Sequence, residues 1–113
     1  MSSENYSEES ILIDMRESLV GPDEKGFDKD LLMLMPGIFL VLQQNGIGPE
    51  EQFRVTGEEE KWSDFTIDSK ELDAVRTYLW MKLRYIFDPP KTSFTQQALK
   101  EEIKEVEWRL GIQ

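Results

Sequence analysis

The chain has 113 residues, enough for one domain, and its 13 Lys and Arg against 23 Asp and Glu give a net charge of −10. That charge repels nucleic acid and anionic membranes, which disfavours a sequence-reading DNA-binding protein but not an acidic wall past which DNA slides without sticking. The sequence contains neither cysteine nor histidine, and this removes disulfides, thiolate nucleophiles, the commonest general base and most zinc sites.

The N-terminal residues 1–7 are polar and acidic, and they predict a flexible tail followed by a single helical domain over residues 8–113. The N-terminus from Met1 to Glu9 is rich in Ser and Glu and is neither basic nor apolar, so no signal peptide is expected. Ser7 or Ser10 can cap a first helix, which Gly21-Pro22 ends. That helix is indicated by apolar residues at helical spacing, namely Ile11, Leu12, Met15 and Leu19.

A second helix is predicted to begin at Asp28, with Asp28 as its cap and a hydrophobic staple between Phe27 and Leu32. It is apolar over much of its circumference, so we expect it to be central. Its apolar run is too short to span a bilayer, and no membrane partner is expected. Pro36 removes a backbone hydrogen bond, which predicts a kink before the helix ends at Asn45-Gly46.

The long connection over about residues 47–67 shows short alternations of polar and apolar residues around Gly57. This pattern predicts either a short β-hairpin or an extended arm that becomes ordered against a neighbouring subunit. Phe53, Trp62 and Phe65 would be the apolar anchors of such an arm. Trp62 has core packing as its alternative.

Two further helices complete a mainly α, four-helix domain. Asp68 caps the third helix, with Glu71 completing a capping box, and Asp88-Pro89-Pro90 ends it. Ser93 is predicted to cap the last helix, which ends before Gly111. Its packing seam against another helix alternates steps of four and three through Leu99, Ile103, Val106 and Leu110.

The pattern of charged residues offers no catalytic, cofactor-binding or metal site, and we expect no enzymatic activity. The two acidic clusters, Glu58 to Glu60 and Glu101-Glu102 with Glu105, are typical of solvated surface. No glycine-rich phosphate loop is present. A small carboxylate-dependent enzyme is therefore a disfavoured alternative.

Two residues outside the long connection are further interface candidates. Arg76 belongs to a basic streak with Lys82 and Arg84, which could meet the acidic face of a neighbouring copy. Local pairing with Glu71, Asp73 or the last helix is the alternative. Trp80 is expected in the core, whereas Trp108, near the end of the last helix, is taken as an interface residue or else as core packing.

Several motifs follow one another along the chain, namely Gly26-Phe27-Asp28, Gln44-Asn45-Gly46-Ile47-Gly48-Pro49, Trp62-Ser63-Asp64-Phe65, the run from Glu71 to Leu79, Phe87-Asp88-Pro89-Pro90 and the run from Glu105 to Leu110. Their order resembles the head–tail connector (adaptor) family of tailed bacteriophages. The resemblance covers about residues 8–111, and Pro36 departs from it, since a polar helix-tolerant residue would be expected there.

The resemblance implies a non-enzymatic virion protein of the neck, assembled in the host cytoplasm. It implies a ring, commonly of twelve copies, that docks beneath the portal protein and continues the DNA channel to the tail. Its partners would be other copies, the portal, head-closure or tail-completion proteins, and passing duplex DNA without sequence-specific binding.

Two groups of alternatives remain. A tail-completion or baseplate component would share these features. An acidic DNA-mimic inhibitor would need carboxylates spaced like phosphates along one face, whereas here they are dispersed over all segments.

Overall fold

The computed structural model describes residues 6–113, and in this part of the chain the regular structure is helical. The predicted mainly α architecture is confirmed, with one short helix beyond the four expected. The helices are α1 (Ile11–Leu19), α2 (Asp28–Gln44), α3 (Trp62–Phe65), α4 (Ser69–Phe87) and α5 (Ser93–Leu110), and a 3₁₀ turn (Lys25–Phe27) precedes α2.

The N-terminal part packs on the domain from Tyr6 onward, since the Tyr6 side chain is only 7% exposed. Residues 1–5 of the predicted tail lie outside the described residues. Of the two candidate caps, Ser7 and Ser10, the structure uses Ser10, whose hydroxyl accepts a hydrogen bond from the Ile13 N–H at 3.2 Å at the start of α1. The first packed elements are therefore a short N-terminal turn and α1.

Helix α2 crosses the centre of the domain and runs without interruption through Pro36. The predicted cap at Asp28 is wrong: Asp28 is the first helical residue, and its carboxylate binds Arg16 instead of the helix amides. A charged donor makes a stronger hydrogen bond than a backbone N–H, which explains the choice. The buried face of α2 consists of Leu31, Met35, Ile38, Phe39 and Leu42.

The predicted β-hairpin arm over residues 47–67 is not observed. Among the described residues, the only β-type pairing is an isolated antiparallel bridge between Ser10 and Lys61. The segment lies along α2, where the Gln43 amide donates to the carbonyls of Pro49 and Glu51 at 2.7 and 2.6 Å. These two carbonyl groups, and the Phe53 N–H that donates to the Gln43 side chain, hold this part of the segment to α2.

Apolar burial explains why this segment lies on the domain. The rings of Phe53 and Phe65 lie 5.0 and 4.9 Å from the ring of Phe39 and 5.1 Å from each other. Gly48 has φ +89°, and a Cβ there would overlap the Phe65 ring, so glycine allows both the turn and the close packing. Burying three aromatic rings stabilises this arrangement over a projecting hairpin.

Helices α4 and α5 form an antiparallel pair around the Asp88-Pro89-Pro90 turn. Asp68 caps α4 as predicted, accepting from the N–H groups of Lys70 and Glu71 at 3.0 and 3.2 Å. The cap of α5 is Thr92, one residue before the predicted Ser93, since the Thr92 hydroxyl accepts from the Thr95 N–H. The predicted α5 seam is confirmed: Leu99 and Ile103 are each 8% exposed, and Val106 and Leu110 pack against the core.

Candidate interaction surface

Asp14 joins two of the residues that the sequence singled out. Its carboxylate accepts a hydrogen bond from the Trp62 indole N–H at 2.9 Å, and from Nε and Nη2 of Arg76 at 2.6 and 2.9 Å. Asp14 is 6% exposed and Trp62 is fully buried. The pairing raises the pKa of Arg76, chiefly through the hydrogen bonds to Asp14. α1, α3 and α4 are thereby joined at one buried carboxylate.

Arg16 makes a second connection on the same helix. Its side chain is 3% exposed, and Nη2 lies 2.6 Å from both an Asp28 oxygen and a Glu58 oxygen. Hydrogen bonding to Arg16 lowers the pKa of Asp28 below its ordinary value, although burial alone would raise it. Arg16 therefore links α1 to the start of α2 and to the segment before α3, and its buried charge is paired.

Tyr6, near the N-terminus, contacts Trp62 and Arg76, the two residues that bind Asp14. Its hydroxyl donates to Asp73, its ring packs edge-on against Trp62 at 6.3 Å, and the Arg76 guanidinium lies 4.3 Å from the ring centre. Burial, followed by the bond to Asp73, raises the pKa of Tyr6 above its ordinary value. A shallow cavity of about 350 Å³ adjoins these groups. Three of the groups that line it are already bonded, Tyr6 to Asp73 and Arg76 to Asp14.

The three aromatic residues predicted as anchors of an arm are buried, which for Trp62 agrees with the core-packing alternative. Phe53 is 9% exposed, Phe65 is 3% exposed and Trp62 is 0% exposed. In this conformation they hold residues 47–67 onto the domain and do not present themselves to a neighbouring chain. They belong to the same buried hydrophobic cluster as apolar residues of α1, α2 and α4.

The remaining two predicted interface residues keep some exposed surface. Trp108 is 81% exposed on the outer side of α5, opposite the Leu99–Ile103 seam. Phe94, one helix length away near the start of α5, is also 81% exposed. Arg76 is about one third exposed and already paired with Asp14. Trp108 is therefore the predicted residue best placed to contact another protein.

The residues of the basic streak do not form the predicted local ion pairs with Glu71, Asp73 or the last helix. Arg76 binds Asp14 of α1 instead of an acidic residue of α4 or α5. Arg84 stacks over the Trp80 ring at 5.5 Å and Lys82 lies 5.8 Å from the Tyr78 ring centre. Trp80 itself is half-buried and packs against the core.

Sequence reasoning missed Asp14 and Arg16 as organising residues. A signal existed, since Asp14 lies three residues after Ile11 and next to Met15, on the predicted buried side of α1. A charged residue on an apolar helix face is buried only when it has a partner. The sequence does not identify the partners, which lie up to 62 positions away.

The described residues include no group of three or more acidic side chains placed to hold a metal ion. The acidic clusters at Glu58-Glu59 and at Glu101, Glu102 and Glu105 are exposed. No helix in the described part of the chain is long and apolar enough to cross a membrane.

A family model described as a phage connector protein matches residues 11–113. The match extends from the first residue of α1 to the end of the chain and so includes all five helices. No curated protein and no solved structure matches the chain.

Proposed function

Because the chain belongs to the phage connector protein family, we propose that it is a head–tail connector subunit that forms a ring beneath the portal protein. The family gives it a structural role in the virion. The proposed ring continues the DNA channel from the portal toward the tail. Its partners in this proposal are further copies of the chain, the portal, head-closure or tail-completion proteins, and duplex DNA that passes without sequence-specific contact.

The observation that carries the proposal is the match of the family model to the whole helical domain, residues 11–113. The net charge of −10 supports a DNA-facing role, because an acidic wall repels phosphates over about a Debye length, ~8 Å at physiological salt. This repulsion keeps DNA from sticking to a channel that it must traverse quickly.

The exposed side of α5 supports an assembly contact. Trp108 and Phe94 each expose 81% of their surface, and large exposed aromatic residues are typical centres of protein–protein interfaces. We assign Trp108 to a contact with a second protein of the neck. Phe53, Trp62 and Phe65 act indirectly, by fixing the shape of residues 47–67 against the domain.

Electron microscopy of the purified protein, alone and mixed with the portal protein of the same phage, tests the proposal. We expect closed rings, or an added layer of density beneath the portal. Trp108→Ala should reduce the fraction of assembled particles while leaving the helical circular dichroism unchanged. The control is Ile67→Ala, which truncates a residue that is 90% exposed outside α5.

A protein that stays monomeric and ignores the portal would contradict the ring proposal. Binding to isolated tails or baseplates would then place the protein lower in the virion. Trp108→Ala and Ile67→Ala assembling equally well would remove Trp108 from the interface without affecting the ring itself.

A further inference from the structure

The charge of this protein is divided unequally along the chain. Residues 1–68 contain 16 Asp and Glu against 5 Lys and Arg, a net charge of −11, whereas residues 69–113 contain 7 against 8, a net charge of +1. The second part is the α4–α5 pair. One molecule therefore has an acidic part and a part that carries a slight positive charge.

The groove between α4 and α5 gathers lysines around apolar side chains. A cavity of about 240 Å³ there is lined by Lys82, Lys100 and Lys104 together with Tyr85 and Ile86. Ile86 is 51% exposed. We call this set of five residues the basic groove.

The lysines of the basic groove have no acidic partner in the described residues, where every ion pair within 4.0 Å involves other cations. Glu107, which also lines the cavity, accepts a hydrogen bond from the buried Tyr78 hydroxyl at 2.9 Å. The basic groove thus combines apolar side chains with three lysines that form no ion pair in the described residues.

A surface of opposite charge lies on α2 and on the segment that follows it. Leu40 is 44% exposed on the face of α2 opposite its buried residues, and it lines a shallow depression with Gln44 and Glu50. Glu51, also exposed, follows directly. We call Leu40, Gln44, Glu50 and Glu51 the acidic ledge.

The backbone of the acidic ledge is held in place. The Gln43 side chain donates to the carbonyls of Pro49 and Glu51 and accepts from the Phe53 N–H at 3.1 Å. The two glutamates are consequently presented from a fixed chain and not from a loose loop. Each of the two surfaces has an exposed aliphatic side chain, with lysines beside Ile86 in the basic groove and a glutamate beside Leu40 in the acidic ledge.

We propose that the basic groove of one copy docks on the acidic ledge of the next copy, in a head-to-tail contact between identical chains. The two surfaces share no residue, and contacts between unlike surfaces of identical subunits generate rings when the rotation closes. Opposite charges set the orientation of the contact, and the aliphatic residues at its centre exclude water. The inference rests on the ring proposed above and specifies which faces meet.

Charge reversal tests the contact. Lys100→Glu with Lys104→Glu, and separately Glu50→Lys with Glu51→Lys, should each abolish self-assembly, measured by analytical ultracentrifugation and electron microscopy. Combining all four substitutions in one chain should restore it, since the charges are then exchanged. Circular dichroism confirms that each variant is folded.

The matched control is Lys70→Glu with Lys91→Glu, which changes the net charge by the same amount as the lysine pair of the groove, at two exposed positions outside both surfaces. It should assemble like the unmodified protein. Wild-type assembly should also weaken between 0.15 and 1 M salt, because the Debye length falls from about 8 Å to about 3 Å.

Two results would overturn the inference while leaving the ring intact: normal assembly of the Lys100→Glu, Lys104→Glu variant, or failure of the four-fold variant to recover. A wild-type protein that forms no ring, with or without the portal, would instead overturn the proposed function and this contact with it.

Discussion

Replacing Trp62 with alanine tests whether this residue stabilises the core or contributes to an assembly contact. The sequence allows both roles, but the structure buries the indole completely and bonds its N–H to Asp14 at 2.9 Å. Truncation removes the largest fully buried side chain of the domain, together with its edge-on contact to Tyr6. We therefore expect the isolated monomer to lose stability before any assembly step.

The expected loss is about 3–5 kcal/mol, the usual range for removing a buried aromatic side chain. A domain of this size has a stability of about 5–15 kcal/mol, so the loss is a large fraction of the total. In urea, an m-value of about 2 kcal/mol/M converts the loss into a midpoint lower by about 2 M. Far-UV circular dichroism follows the transition, and Trp62→Phe separates the lost hydrogen bond, about 1–3 kcal/mol, from the lost volume.

Trp108→Ala is the matched control, since it makes the same chemical change at a side chain that is 81% exposed. It should shift the free energy of unfolding by no more than about 0.5 kcal/mol. The reasoning is refuted if Trp62→Ala unfolds within about 1 kcal/mol of the unmodified chain, or if Trp108→Ala proves the more damaging change.

Two further predictions concern turn geometry and pH. Gly48→Ala should destabilise the domain by about 2–3 kcal/mol, because the added methyl group would overlap the Phe65 ring. Gly46 also has a positive φ but faces open space, so Gly46→Ala should destabilise the domain by only about 1 kcal/mol. Thermal melts of the two variants measure the difference. Since Arg16 lowers the folded-state pKa of Asp28, the stability from this pair is present above about pH 4 and lost as the pH falls. The free energy of unfolding of Arg16→Met, measured in urea, should therefore be furthest below that of the unmodified protein near pH 7 and should approach it near pH 3. A difference in stability that does not depend on pH would contradict the pairing.

Much of the local structure is predictable because its causes are local. Ser10 and Asp68 cap α1 and α4 as their side chains and positions indicate. The α5 seam follows from the spacing of Leu99 and Ile103. The cap of α5 was misplaced by one residue because Thr92 and Ser93 are both hydroxyl side chains, and sequence spacing alone does not choose between them.

For residues 47–67 the sequence predicts a long connection but does not specify whether it projects as an arm or lies on the domain. Alternating polar and apolar residues describe a chain with one buried side, and both a hairpin and a segment lying on a helix satisfy that pattern. The choice depends on whether Phe53 and Phe65 pack on Phe39, which is a contact between distant parts of the chain. An interface role would require these residues to be exposed. Whether they are exposed or buried could therefore not be predicted from the local sequence pattern.

The sequence by itself determined the helical class, most helix ends, the acidic charge and a resemblance to phage connector proteins, because composition, capping and periodicity depend on neighbouring residues. Only the tertiary structure decided which charges are buried and paired and which stay exposed. Asp14 finds Trp62 and Arg76 across 48 and 62 positions, and Lys82 comes to lie beside Lys100 and Lys104 only when α4 and α5 pair. Such long-range contacts depend on how the helices pack, and the order of residues along a single helix does not specify them.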